Sequence, residues 1–374
     1  MKLAKFLIML LIMIMSVGML TACNGVGAPA PLPPTHPAPA ETSSDTPSES
    51  SESPDTTHES DDSHTASETP SEQEPALEGY RVRVGTLRGP SGMGLAALME
   101  WAEEGNTKNT YHFTLGGSPE EMTAGLISGE LDVASLPTNV ASVLYQRLDG
   151  GIQVLTVGTL GGLFILDRTG EIHSPEDLRG KTINITGQGG IPQFALEHVL
   201  RQSGLEPGVD VEIIFNAEHS ELASLMIAGR VDIGMLPQPF VTTVMLQSDD
   251  IEIGFGLTEA WEITNPGTQF VQGVVVARKG FIEQHPDAVK LFINDHYESV
   301  SYVNSNADRA AVMMDLFGII PENVAIRAIP NSNLVHFDGA EMKPMINAVL
   351  QVLYDANPQT VGGAMPDEEF FFLG

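Results

Sequence analysis

The sequence predicts an α/β protein built from two hinged, doubly wound lobes. Two stretches one hundred positions apart repeat: Leu126-Ile-Ser-Gly-Glu-Leu-Asp-Val-Ala-Ser-Leu-Pro137 and Met226-Ile-Ala-Gly-Arg-Val-Asp-Ile-Gly-Met-Leu-Pro237, with five identities and two further aliphatic exchanges. Each reads as a helix end, a Gly stop, an Asp-led apolar strand and a Pro-bearing loop. The period is too long for a solenoid, whose units run roughly 20–50 residues. The patterns on either side of residue 162 both follow β-α-β-α-β, the order of an open parallel sheet. About 296 residues remain once the amino-terminal region is set aside, more than one hydrophobic core usually organises.

The chain opens with a targeting segment over residues 1–22. Lys2 and Lys5 supply its positive start, and Phe6 to Leu20 is an apolar run of signal-peptide length, short for a membrane span. Leu20-Thr-Ala-Cys23 resembles a bacterial lipobox, in which the Cys thiol receives diacylglycerol. Cys23 is the only cysteine of 374 residues, so its acylation would leave no thiol for disulfides, zinc or catalysis. Together with an amide-linked chain, that lipid would hold the protein on the bilayer. Residues 24–78 are Pro, Ser, Thr and acid with almost no large apolar residue, a composition that cannot offset its ordering entropy. We expect a disordered acidic tether, with His58 and His64 as solvated spacers. A lipidated Cys followed by a long tether suits the outer face of the cell membrane in a Gram-positive type envelope.

Residues 1–78 hold 12 acidic residues and two lysines, so the remainder keeps a formal balance of −21. Nucleic acid is excluded as a partner, because phosphate binding needs a basic face.

The first lobe starts with Tyr80–Leu87, alternating and then apolar: a strand. Arg88–Gly94 follows as a loop, and Leu95–Glu104 is an amphipathic helix. Tyr111–Leu115 is the next strand, ending in Gly116-Gly-Ser118. Ser118 is a good helix N-cap with Glu120 and Glu121 in the first turn, and Gly129 stops that helix. Leu131–Leu136 is a strand, Asn139–Gln146 a helix and Gln153–Thr159 a strand. The chain then crosses near Gly161 and Gly162. Leu163–Asp167 opens the second lobe, Ser174–Lys181 gives a capped turn, and Thr182–Thr186 is a strand. A Gly-rich loop, Gly187–Pro192, leads into the helix Gln193–Ser203. Val209–Phe215, Ser220–Ala228 and Val231–Leu236 repeat the strand–helix–strand order. Gly273–Arg278 is a return strand, and three helices follow over Pro286–Asn304, Asp308–Phe317 and Asp338–Tyr354. The expected organisation is 79–162 plus 273–374 for lobe one and 163–272 for lobe two.

Ser174-Pro-Glu-Asp-Leu-Arg-Gly-Lys-Thr-Ile-Asn-Ile, the strands around Asp132 and Asp232, and the run from Gly273 through Phe281-Ile-Glu-Gln-His-Pro-Asp-Ala-Val-Lys-Leu-Phe-Ile293 carry a resemblance. In this order they resemble the extracytoplasmic solute-binding proteins of ABC transporters with the periplasmic-binding-protein type II fold. Within these, the chain is similar to the nitrate/sulfonate/taurine and thiamine-precursor binding group. The resemblance spans nearly all of residues 80–355. It implies a ligand held between two hinged lobes and handed to an ABC permease and its ATPase.

Open α/β sheets bind ligands at the carboxyl ends of their strands, and Gly-rich turns before helices favour anions. The candidate ligand residues are therefore Arg88, Ser91, Gly92, Met93, Gly117, Ser118, Thr138 and Asn139 in lobe one, Gly161 at the crossover, and Gln188, Gly189, Gly190 and Gln238 in lobe two. Arg88 is the sole cation of the lobe-one loops and suits sulfonate, phosphate or carboxylate. The glycine runs read equally as tight turns, Asn139 equally as a helix cap, and Trp261 as packing. Asp132 and Asp232 sit before their strands, away from the loops, and read as turn-orienting residues.

No catalytic constellation emerges: the His residues are dispersed, and neither His-Glu-x-x-His nor Gly-x-Ser-x-Gly occurs. We expect no metal, no cofactor and no enzyme activity. The expected function is a lipid-anchored monomeric receptor for a small polar or anionic solute. A ligand-presenting sensor module is the alternative, and a precursor-synthesis enzyme on the same fold a remoter one.

Overall fold

The computed structural model describes residues 79–374. The targeting segment, Cys23 and the acidic tether lie outside the described residues. In chain order the first lobe gives β1 (Arg81–Leu87), α1 (Pro90–Glu103), β2 (Thr110–Gly116), α2 (Pro119–Ser128), β3 (Val133–Pro137), α3 (Thr138–Arg147) and β4 (Ile152–Leu160). The second gives β5 (Leu163–Asp167), β6 (Thr182–Ile185), α4 (Ile191–Gln202), β7 (Glu212–Phe215), α5 (His219–Ile227), β8 (Ile233–Pro237), α6 (Phe240–Gln247), β9 (Glu252–Gly256) and α7 (Leu257–Thr264). The chain then adds β10 (Val271–Arg278), α8 (Lys279–Gln284), α9 (Pro286–Ser305), α10 (Ala307–Leu316), α11 (Glu322–Ala328), β11 (Leu334–Asp338) and α12 (Gly339–Ala356).

The strands form two sheets, in the orders β11-β4-β10-β3-β1-β2 and β7-β6-β8-β5-β9. Both have the same plan. Two parallel pairings hold β2-β1-β3 in one and β7-β6-β8 in the other. One antiparallel strand is inserted next: β10 between β3 and β4, β5 between β8 and β9. The sheets are therefore mixed, not wholly parallel as the strand–helix alternation alone suggests. The inserted strand is in each case the one that has just crossed from the other lobe, so it runs against its hosts.

The repeat occupies matching places in the two sheets. Gly129 and Gly229 both follow their helices at positive φ, 78° and 68°, as a helix stop requires. Arg278, the last residue of the inserted strand β10, donates its N–H to the Asp132 carbonyl at 3.0 Å. Arg168, after β5, does the same to Asp232 at 2.9 Å. The side chains then diverge. Asp132 is buried and accepts from Arg83 Nε at 2.8 Å and from Arg278 Nη2 at 2.6 Å. Burial alone would raise its pKa, but the bonds from Arg83 and Arg278 outweigh that and hold the carboxyl below its usual range. Asp232 is largely exposed, 3.8 Å from Arg168 Nε. Asp132→Ala is expected to lower stability by about 2 kcal/mol, because two guanidinium groups lose a buried partner. Asp232→Ala should cost under about 0.5 kcal/mol. Urea midpoints of the two variants check the contrast.

Helix α1 starts at Pro90, five residues before the amphipathic pattern begins. Pro suits the first helical position because its missing N–H is unneeded there. A Cβ at Gly92 would lie 2.6 Å from the Leu87 carbonyl oxygen, so glycine lets the helix start close under β1. One core packs α1 and the carboxyl-terminal helices on the first sheet, around Met93, Leu98, Phe292 and Met313. A second runs from the other face of that sheet into lobe two, through Val157, Trp261, Phe270, Leu196 and the α12 residues Ile346 and Leu350. Trp261 is buried, stacks on Phe270 at 5.1 Å, and donates Nε1–H to Thr268.

Candidate functional site: a cavity between two sheet rims

The carboxyl ends of β1 and β3 face those of β6 and β8 across a cavity of about 500 Å³. That size lies within the range of small-molecule sites. Arg88, Ser91, Gly117 and Asn139 line it from the first lobe, and Gln188, Gly189, Gly190 and Gln238 from the second.

Helix ends, the Arg88 guanidinium and the Glu120 carboxylate all stand at its wall. Helices α1, α3 and α4 start at the cavity after Gly89, Pro137 and Gly190. None has a side-chain cap or an acid in its first turn. Pro90 and Pro192 have no N–H to offer, so the remaining first-turn N–H groups and the positive dipole ends are what these helices present without a capping side chain or acid. Helix α2 is the contrast. Ser118 Oγ accepts the Glu121 N–H, Glu120 and Glu121 fill the first turn, and Glu121 Oε2 also accepts the Gly117 N–H at 3.1 Å. Gly117 thus reaches the wall with its donor already used. The Arg88 side chain is exposed at the cavity wall and makes no ion pair among the described residues.

Gln238 is buried. Its Oε1 accepts from Thr242 Oγ1 at 2.8 Å and from the Thr242 N–H at 3.3 Å, which fixes the amide and leaves its NH₂ as the group to offer.

The remaining candidates lie off the wall. Gly92 backs onto Leu87, and Met93 points into the core with no exposure. Ser118 is used as the cap of α2. Thr138 is buried, its Oγ1 directed at the Val271 carbonyl at 3.4 Å. Gly161 packs at the crossover against Thr258 and donates its N–H to the Phe270 carbonyl at 2.7 Å.

The structure also brings forward residues the strand-end rule does not name: Thr159 on β4, Gln272 on β10, His219 and Phe240. Thr159 and Gln272 flank the crossovers, on strands whose pairing is long-range. His219 stands one residue beyond the strand-end loop Asn216–Glu218, as the first residue of α5. Its Nδ1 lies 2.6 Å from Thr186 Oγ1, and its ring sits 5.3 Å from Phe240. Burial pushes its pKa below the usual value, against a smaller opposing pull from Glu218. Gly273 keeps the floor open: a Cβ there would meet Thr159 Oγ1 at 2.4 Å.

Among the described residues no group of three or more His, Cys, Asp or Glu is arranged to hold a metal ion. Within the same residues no helix is long and apolar enough to cross a membrane.

Comparison with known proteins agrees with this fold. A structure titled as an ABC transporter from Parabacteroides distasonis superimposes with a TM-score of 0.66 at 21% identity, covering 78% of this chain and 98% of that one. The periplasmic aliphatic sulphonate binding protein SsuA of Escherichia coli gives a TM-score of 0.63 at 15% identity, covering 78% and 92%. These likenesses give the fold, that of type II periplasmic binding proteins. The taurine-binding periplasmic protein of Escherichia coli (strain K12) is 27% identical over 206 residues, 55% of this chain. The chain spans 57% and 60% of the length of two curated relatives it matches. The family described as NMT1/THI5 like matches residues 115–310, more than half of the sequence. The chain belongs to the NMT1/THI5-like family.

Proposed function

We propose that this protein is an extracytoplasmic receptor that closes on one organic anion, a sulfonate above all, and delivers it to an ABC permease without transforming it. The observation that carries the reading is the convergence of three uncapped, acid-free helix starts on one interlobe cavity with Arg88 at its wall. A sulfonate offers three oxygens to such N–H groups and stays ionised at every physiological pH. The taurine- and sulfonate-binding relatives support that choice of anion. A ligand touching both rims binds the closed form better and so draws the lobes together. Lipid attachment through Cys23 belongs to the same proposal, as do a monomeric state and the lobe limits 79–162 plus 273–374 and 163–272. So does direct contact of the cavity-wall candidates with the ligand.

The test is calorimetry of the purified protein with taurine, ethanesulfonate, nitrate and an uncharged sulfone of matched size. The expected result is one site per chain for an organosulfonate, at least tenfold tighter than the sulfone, with no consumption of ligand. Equal affinity for the sulfone would remove the anion from the argument.

A further inference from the structure

Beyond the three helix starts and Arg88, the cavity has a second pole. Its walls include Leu87, Val140, Leu163 and Ile191, so an inorganic anion or a two-carbon sulfonate would leave apolar surface wetted. A cavity of about 500 Å³ has room for a ring-sized body. On the lobe-two side His219 and Phe240 stand side by side, ring centroids 5.3 Å apart and 45° inclined. Thr186, itself buried, holds His219 Nδ1 at 2.6 Å and so sets the ring orientation. Nε2 makes no hydrogen bond to the described residues. A fixed imidazole with one unused nitrogen, beside an aromatic face, matches a flat group that carries its own hydrogen-bonding atom.

We propose that His219 and Phe240 form the specificity-determining pole of this site, selecting an anion with a planar ring whose polar substituent meets His219 Nε2. This rests on the receptor reading given above and names the ligand class within it. Burial keeps the imidazole neutral at pH 7, so Nε2 donates or accepts one bond according to tautomer and adds no charge to the ligand balance.

The test uses three sulfonates that share the anionic group: ethanesulfonate, benzenesulfonate and 4-hydroxybenzenesulfonate, whose hydroxyl serves either tautomer. Wild type should bind 4-hydroxybenzenesulfonate at least tenfold more tightly than ethanesulfonate, with benzenesulfonate between them. His219→Ala should lose about tenfold for the hydroxylated ring and under twofold for ethanesulfonate, and His219→Gln should restore part of the loss. Phe240→Leu should weaken both ring ligands together. Equal losses for all three probes in His219→Ala would assign the residue a structural role and overturn the proposal. So would wild-type preference for ethanesulfonate, which decides the matter even if a variant fails to fold, and which leaves the receptor reading standing. Binding of no probe by wild type takes down both.

Discussion

Gly161→Ala is expected to destabilise the protein by about 3–4 kcal/mol, combining forced overpacking with a left-handed backbone. Gly161 has φ 36° at the first crossover, where β4 passes into β5. A Cβ there would lie 1.5 Å from Thr258 Oγ1 and 2.8 Å from Thr258 Cβ, at the start of α7. The glycine cannot simply retreat, because its N–H is bonded to the Phe270 carbonyl at 2.7 Å, just before the return strand. Both connections between the lobes are thus pinned at one point. Thr258→Ala removes the nearest atom but not the Cβ, so the double variant should regain roughly half the loss. A coupling of at least about 1 kcal/mol in the double-mutant cycle would follow. Gly161→Ala within about 0.5 kcal/mol of wild type in urea unfolding would mean that the crossover shifts freely, against this packing.

The second large effect is loss of stability in acid, centred on a histidine pair. His296 on α9 and His336 on β11 approach with Nδ1 to Nδ1 at 2.7 Å, and His336 Nε2 lies 3.4 Å from Asp338 Oδ2. One tautomer set satisfies every contact: His336 carries Nε2–H toward Asp338, and His296 donates Nδ1–H to His336. Protonating His296 would place a cation in a buried site beside another imidazole. Burial first, and His336 second, push its pKa down to about 3. The unfolded chain takes up that proton near pH 6.5, well before the folded one. Stability is therefore undiminished above about pH 6.5, falls by about 1.4 kcal/mol per unit below it, and levels off near pH 3. By pH 5 His296 alone should have removed about 2 kcal/mol. His336, also held below its usual value chiefly by burial, adds in the same direction. Unfolding midpoints measured from pH 8 to pH 4 should show this slope in wild type and a smaller one in His296→Leu. A flat profile between pH 6.5 and 5 in wild type would contradict a neutral buried pair.

What could be read from the residues was local. The helix stops at Gly129 and Gly229 and the strands before Pro137 and Pro237 depend on a few neighbouring positions, and they fall where the repeat puts them. Strand β11 was not legible. Leu334-Val-His-Phe-Asp338 is short, interrupted by polar residues and stabilised by β4, whose partners lie some 175 positions earlier in the chain. The mixed sheets escaped for the same reason: β10 joins β3 across about 140 residues, and no periodicity within β10 announces it. In the site, the strand-end rule names side chains that line the cavity, such as Arg88, Asn139 and Gln238, together with others that lie off it, such as Met93, Ser118 and Thr138. Ser91 lines the cavity while Met93, two residues on, is in the core, because α1 begins earlier than its amphipathic pattern and turns successive residues to different sides.

The amino-acid sequence by itself determined two α/β lobes, their doubled order and the helix stops at Gly129 and Gly229, because stops and periodicities act over a few residues. Only the tertiary structure decided which strands are inserted, which donors remain unused at the rims, and that His219 and Phe240 share the cavity with Arg88. Those outcomes depend on pairings and packing between residues far apart in the chain, and no local preference encodes them.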